Sequence, residues 1–139
     1  MARKQKAFVL DSWAVIAYLE DEQAAEKVAD LMSDAHEQGI PLLISVVNAG
    51  EVWYIIARQT SSADADRSIK QLLGLGIELV DANWALAHNA AYFKSKCKMS
   101  FADAFAAALT KERKATLITG HPEFRQVDQE ISIYWLSRN

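Results

Sequence analysis

The chain has 139 residues, 51% of them hydrophobic and 24% charged. Those proportions exclude a disordered or low-complexity chain and fit one domain over residues 1–139. Fifteen Lys and Arg against 18 Asp and Glu give a net charge of −3, which excludes a generic basic nucleic-acid binder but not an enzyme that steers a polyanion with a local patch.

The N-terminus, Met1 to Lys6, is basic, but the apolar run behind it, Ala7 to Leu10, is too short for a signal peptide. No stretch approaches the roughly 18 apolar residues of a membrane span, so no membrane association is expected. Ala7–Leu10 reads instead as a buried strand ending at Asp11, and Trp13–Leu19 as a short helix. From Glu22 to Gln38, apolar Ala25, Val28, Leu31, Met32 and Ala35 recur at helical spacing until Gly39. Pro41–Ile44 is a second strand, with Pro41 tolerated at its first residue. Val46–Gln59 reads as a helix, and Ala65–Leu75 as another with Ile69, Leu72 and Leu73 inward. Ile77–Val80 is a third strand, Trp84–Lys94 and Phe101–Arg113 are helices, and Thr116–Thr119 is a fourth strand. Ile131–Leu136 is a fifth, at the sheet edge. Strands alternating with helices predict an α/β fold: three layers, α/β/α, around a mostly parallel sheet of four to five strands.

Ligands of such sheets bind beyond the carboxyl ends of the strands. Asp11 stands there, directly behind the first strand, and as a residue type it also suits an N-cap. Asn48, Glu51, Ile55 and Arg58 form a narrow stripe on an otherwise apolar helix, facing either water or a polar cleft. Asp103 lies in Ser100-Phe101-Ala102-Asp103, a capping-box spacing, ahead of an Ala-rich helix that can pack closely on the sheet. Three acids far apart in sequence converge on one side of the predicted sheet. Clustered carboxylates repel unless a cation neutralises them, and hard Mg²⁺ or Mn²⁺ prefers such oxygens.

These residues resemble the PIN-domain family, and within it the VapC-like toxin ribonucleases of bacterial and archaeal toxin–antitoxin pairs. The resemblance is carried in order by Phe8-Val9-Leu10-Asp11-Ser12, Ile44 to Val52 around Asn48 and Glu51, Met99 to Leu109 around Asp103, and Leu117 to Phe124. It implies metal-dependent hydrolysis of RNA phosphodiester bonds with Mg²⁺ or Mn²⁺, a homodimer, and neutralisation by an antitoxin protein. Asp11, Glu51 and Asp103 match the family's metal-binding acids, Ser12 and Asn48 its polar supports, and Thr119 its supporting hydroxyl. One position departs from the pattern: His121 stands where the family usually has Asp. Imidazole can bind Mn²⁺ but suits Mg²⁺ poorly, and it can also protonate a leaving oxygen or merely pack in the turn before Pro122. A copy silenced by His121, acting by binding RNA or antitoxin, is the alternative reading. An aspartyl-phosphate chemistry would want a second Asp two residues on, where Trp13 stands.

Lys94, Lys96 and Lys98 precede Asp103 and are candidate RNA contacts, as is Arg58 for phosphate or an antitoxin acid; Lys111, Arg113 and Lys114 point elsewhere. Trp13, Trp53, Trp84 and Trp135 are expected in the core or a dimer interface, with Trp13 near the pocket mouth. His36 and His88 are expected at the surface. The single Cys97, between two lysines, cannot form an internal disulfide and is expected to be an exposed spectator, which suits a reducing cytoplasm.

Overall fold

The computed structural model describes residues 7–20 and 23–136. The basic stretch Met1 to Lys6 and the expected helix start at Glu22 lie outside the described residues. The strands are β1 (Phe8–Leu10), β2 (Leu42–Ser45), β3 (Ile77–Val80), β4 (Thr116–Thr119) and β5 (Ser132–Trp135). They form one sheet in the order β3-β2-β1-β4-β5, and every pairing is parallel. Helices α1 (Ser12–Leu19), α2 (Ala25–Gln38), α3 (Val46–Gln59), α4 (Ser62–Gly74), α5 (Trp84–Lys96) and α6 (Phe101–Arg113) connect them, with a 3₁₀ turn at Pro122–Val127.

The short apolar strands follow from burial on both faces, which removes any need for polar alternation. Val9, Leu43 and Leu117 face one core, with α5, α6 and the 3₁₀ turn. Their neighbours Leu10, Leu42, Ile44 and Ile118 face the other core, with α1 to α4. The chain starts in the middle of the sheet, builds outward to β3, then crosses back to place β4 on the other side of β1. The strand order therefore reverses between β1 and β4, where open α/β sheets leave a crevice.

Helix α6 is buried from Ala104 through Thr110, on every side of its cylinder. Alanines at 104, 106, 107 and 108 let it lie against sheet and helices at once. Its Lys114 C-cap is left-handed at φ 52°.

Four local expectations change. Helix α4 begins at Ser62, one turn before Ala65, because the Ser61 hydroxyl accepts from the Asp64 amide at 3.0 Å. Leu73 is exposed while Ala65 and Leu72 are buried, since a stripe through 65, 69 and 72 turns Leu73 off the face. Trp84 is 75% exposed, which removes the core from its two expected places and leaves the dimer interface. Trp13 and Trp53 pack against the α1–α4 core, and Trp135 against the other. Cys97 is half-buried against the α5–α6 core rather than exposed. Among the described residues, no helix is long and apolar enough to cross a membrane.

Ala107 has no exposed surface, so Ala107→Leu should lower stability by about 1–3 kcal/mol through overpacking, read as a lower denaturant midpoint.

Candidate metal centre at the strand switch point

Asp11 leaves β1 as the N-cap of α1, its Oδ1 accepting from the Ala14 amide at 2.8 Å. Its Oδ2 accepts from Thr119 Oγ1, at the end of β4, at 2.5 Å. That hydroxyl in turn accepts from the His121 amide at 3.0 Å. The capping and site readings of Asp11 are therefore both true: one oxygen caps, the other faces the reversal point. Ser45 caps α3 by accepting from the Asn48 amide at 3.1 Å, and Ser100 caps α6 by accepting from the Asp103 amide at 3.0 Å. Each acid is thus held near a helix N-terminus that its own sequence specifies.

Asn48 is fully buried and joins the elements that carry these acids. Its Nδ2 donates to Ser12 Oγ at 3.2 Å and to the Ala102 carbonyl at 3.0 Å. Its Oδ1 accepts from Ser45 Oγ at 2.7 Å, and its carbonyl accepts from Ser12 Oγ at 3.3 Å. Both amide donors and the amide acceptor are used, as a buried Asn requires.

A cleft of about 450 Å³ opens above this network, lined by carboxylates of Glu51, Asp103 and Glu123, by His121 and by apolar Trp13, Ile16 and Ile55. Asp11 lies beneath it, fully buried. Burial pushes the Asp11 carboxyl up from 3.8 to about 7; Thr119 and the Ala14 amide oppose this, and Asp103 and Glu51 add to it. Asp103 is also raised, first by burial, with His121 opposing and Glu51 and Glu123 adding. The three acids named from the sequence therefore do meet, since Asp103 and Glu51 both add to the rise at Asp11. Ser12, Asn48 and Thr119 stand beside them as expected.

His121 Nδ1 lies 3.1 Å from Asp103 Oδ2. The approach is off hydrogen-bond geometry, so this buried nitrogen lacks a hydrogen-bond partner. Asp103, His121 and Glu123 each offer a ligand atom, all within 4.8 Å of one another. Glu123 is the residue sequence reasoning passed over. It lies in the matched segment Leu117 to Phe124 without being assigned as a metal ligand; the 3₁₀ turn brings it beside His121. Gly120 matters here: a Cβ would fall 2.4–2.7 Å from ring carbons of Trp13. The absent side chain lets the indole lie against the β4 exit and form a cleft wall.

The expected phosphate contacts lie elsewhere. No Lys or Arg lines the cleft among the described residues. Arg58 sits over the Tyr54 ring at 5.1 Å and Lys96 over the Tyr92 ring at 5.2 Å. Lys98 joins Gln126 through its backbone, and Lys94 Nζ donates to the Met99 carbonyl at 2.8 Å.

A profile of the PIN domain matches residues 8–130. No curated protein sequence matches the chain. Solved structures do. VapBC2 from Rickettsia felis, bound to a promoter DNA fragment, has TM-score 0.72 at 13% identity, covering 92% of this chain and 97% of that one. VapC20 from Mycobacterium tuberculosis, a sarcin-ricin loop cleaving toxin, has TM-score 0.70 at 15% identity, covering 87% and 95%. FitAcB from Neisseria gonorrhoeae has TM-score 0.67 at 18% identity, covering 93% and 97%. At these identities the likeness is one of fold.

Asn48→Ala should cost at least about 1–3 kcal/mol in chemical denaturation, because the Ala102 carbonyl and two hydroxyls lose their buried partner. The folded pKa of Asp11 lies above its unfolded value of 3.8, so the folded chain binds more protons between the two. Stability of the metal-free protein should therefore fall as pH rises from 3.8 to about 7. Asp11→Asn should flatten that slope in melts run in EDTA.

Proposed function

The chain belongs to the PIN-domain family, and from that premise we propose that it is a metal-dependent endoribonuclease toxin, cytoplasmic and neutralised by a cognate antitoxin. The observation that carries the reading is the convergence at the strand reversal of Asp11, bonded to Thr119 at the end of β4, with Glu51 and Asp103, which line the cleft above it. Such a cluster is relieved by a cation, and its oxygen donors suit Mg²⁺ or Mn²⁺. The partnerless Nδ1 of His121 adds a nitrogen donor to the same place.

Asp11, Glu51 and Asp103 would hold the ion, with His121 and Glu123 beside them. When bound, the ion acidifies a water and offsets charge building on the phosphoryl oxygens. The chain's own residues supply the positioning. Thr119 and the α1 amide fix the Asp11 carboxylate, and Ser12 and Asn48 fix the helix starts around it. Trp13, Ile16 and Ile55 form the apolar wall of the cleft. His121, partly exposed beside Asp103, would give a proton to a leaving oxygen. Neither a Ser nor a Cys nucleophile is needed, and Cys97 packs against the α5–α6 core.

Resemblance to VapBC and FitAcB assemblies supports an antitoxin partner. A carboxylate-lined cleft without a Lys or Arg in its lining suits a basic antitoxin side chain. The homodimer rests on the family resemblance. Arg58, Lys96 and Lys98, outside the cleft, would meet RNA phosphates or antitoxin acids. One observation favours the second reading, a silent binding module: His121 Nδ1 stands 3.1 Å from Asp103 Oδ2, in the space beside that carboxylate that an ion would need.

The test is cleavage of RNA by the purified chain in EDTA, Mg²⁺ and Mn²⁺. Cleavage should need metal and fall at least about a hundredfold in Asp103→Asn. Cleavage that appears only in His121→Asp would identify the silent module.

A further inference from the structure

We propose that Asp103, His121 and Glu123 make this cleft select a divalent transition-metal ion over Mg²⁺, with His121 Nδ1 as the deciding ligand. The proposal rests on the metal-dependent reading above and specifies the ion. Two observations carry it. The three side chains present donor atoms within 4.8 Å of one another. The imidazole nitrogen among them is buried and without a hydrogen-bond partner, a costly state that coordination would relieve.

The chemistry of the donors sets the preference. Mg²⁺ is small, strongly hydrated and best served by oxygens in near-ideal octahedral geometry. Replacing one oxygen donor by imidazole costs Mg²⁺ affinity and favours the transition series, in which affinities rise from Mn²⁺ towards Cu²⁺. The turn also builds the set locally. His121 is extended at φ −80° and ψ 117°, Pro122 begins the 3₁₀ turn, and Glu123 follows. Proline fixes the backbone between the two ligands, so His121 and Glu123 are held together before any ion arrives. The third ligand, Asp103, comes from the start of the most buried helix, whose Ser100 cap holds its amide.

Mn²⁺ is the probe, because its unpaired electrons report nitrogen ligands through ¹⁴N modulation of the electron spin echo. The native chain loaded with Mn²⁺ should show that modulation. His121→Asp should lose it while still binding Mn²⁺, and His88→Gln, outside the cleft, should keep it. Mg²⁺ should displace Mn²⁺ from His121→Asp at least about tenfold more readily than from the native chain, the scale on which even second-shell groups change metal affinity. Asp is a favourable N-cap, so the variant should fold, which circular dichroism checks. Bound Mn²⁺ without nitrogen modulation, or equal Mg²⁺ competition in both chains, overturns the proposal and leaves a metal nuclease held by its acids alone. Absence of any Mn²⁺ binding together with absence of cleavage overturns the metal-dependent reading and this proposal with it.

Discussion

The buried amide of Asn48 is the constraint on which the cleft depends. It bonds to the first residue of α1, to the cap of α3 and to a carbonyl in the first turn of α6. Those three helices carry or follow Asp11, Glu51 and Asp103. A hydrophobic core can hold helices at approximate distances, because packing tolerates small slides. A fully used set of amide donors and acceptors tolerates far less, since any slide strands a buried polar group. The positions of the acids are therefore set by hydrogen bonds, and the two cores on either side of the sheet set only the layers.

Around that frame the electrostatics oppose folding. Two carboxyls are raised, chiefly by burial, and each is raised further by the other acids. The structure moderates this with a hydroxyl, a backbone amide and an imidazole, and with no Lys or Arg in the lining among the described residues. A site arranged this way spends stability on an affinity for positive charge. His121 changes the balance: it is at once a weak internal counter-charge for Asp103 and a donor atom without a hydrogen-bond partner.

Most of the architecture was legible because strands and helices obey different periods. Runs such as Leu42–Ser45 are too short for helices and too apolar for a half-buried strand, so a parallel sheet covered on both faces was the remaining solution. Asp11 and Ser100 marked helix starts by residue type alone. Proximity across the 3₁₀ turn was not legible: Glu123 reaches Asp103 only through a local conformation that one proline and one spacing leave open. Exposure was also hard to read. Trp84 is apolar enough for any core, yet it sits one residue past the Asn83 cap on the solvent side of α5. The lysines before Asp103 looked close in sequence, but Lys94 turns to the Met99 carbonyl, Lys96 to the Tyr92 ring, and the Lys98 backbone is tied to Gln126.

The bond between Thr119 and Asp11 spans 108 positions and closes the last gap between two neighbouring strands. During synthesis the N-terminal residues emerge first, and every carboxylate on α1, α3 and α6 is made before the strand that completes the site. A ribosome-bound chain that has not yet released β4 holds Asp11 without its hydroxyl partner and Asp103 without His121 or Glu123. The cleft is thus complete only after β4 and the 3₁₀ turn have followed helices α1 to α6. Pairing of such distant segments carries a loop-closure cost that the local contacts of each helix do not.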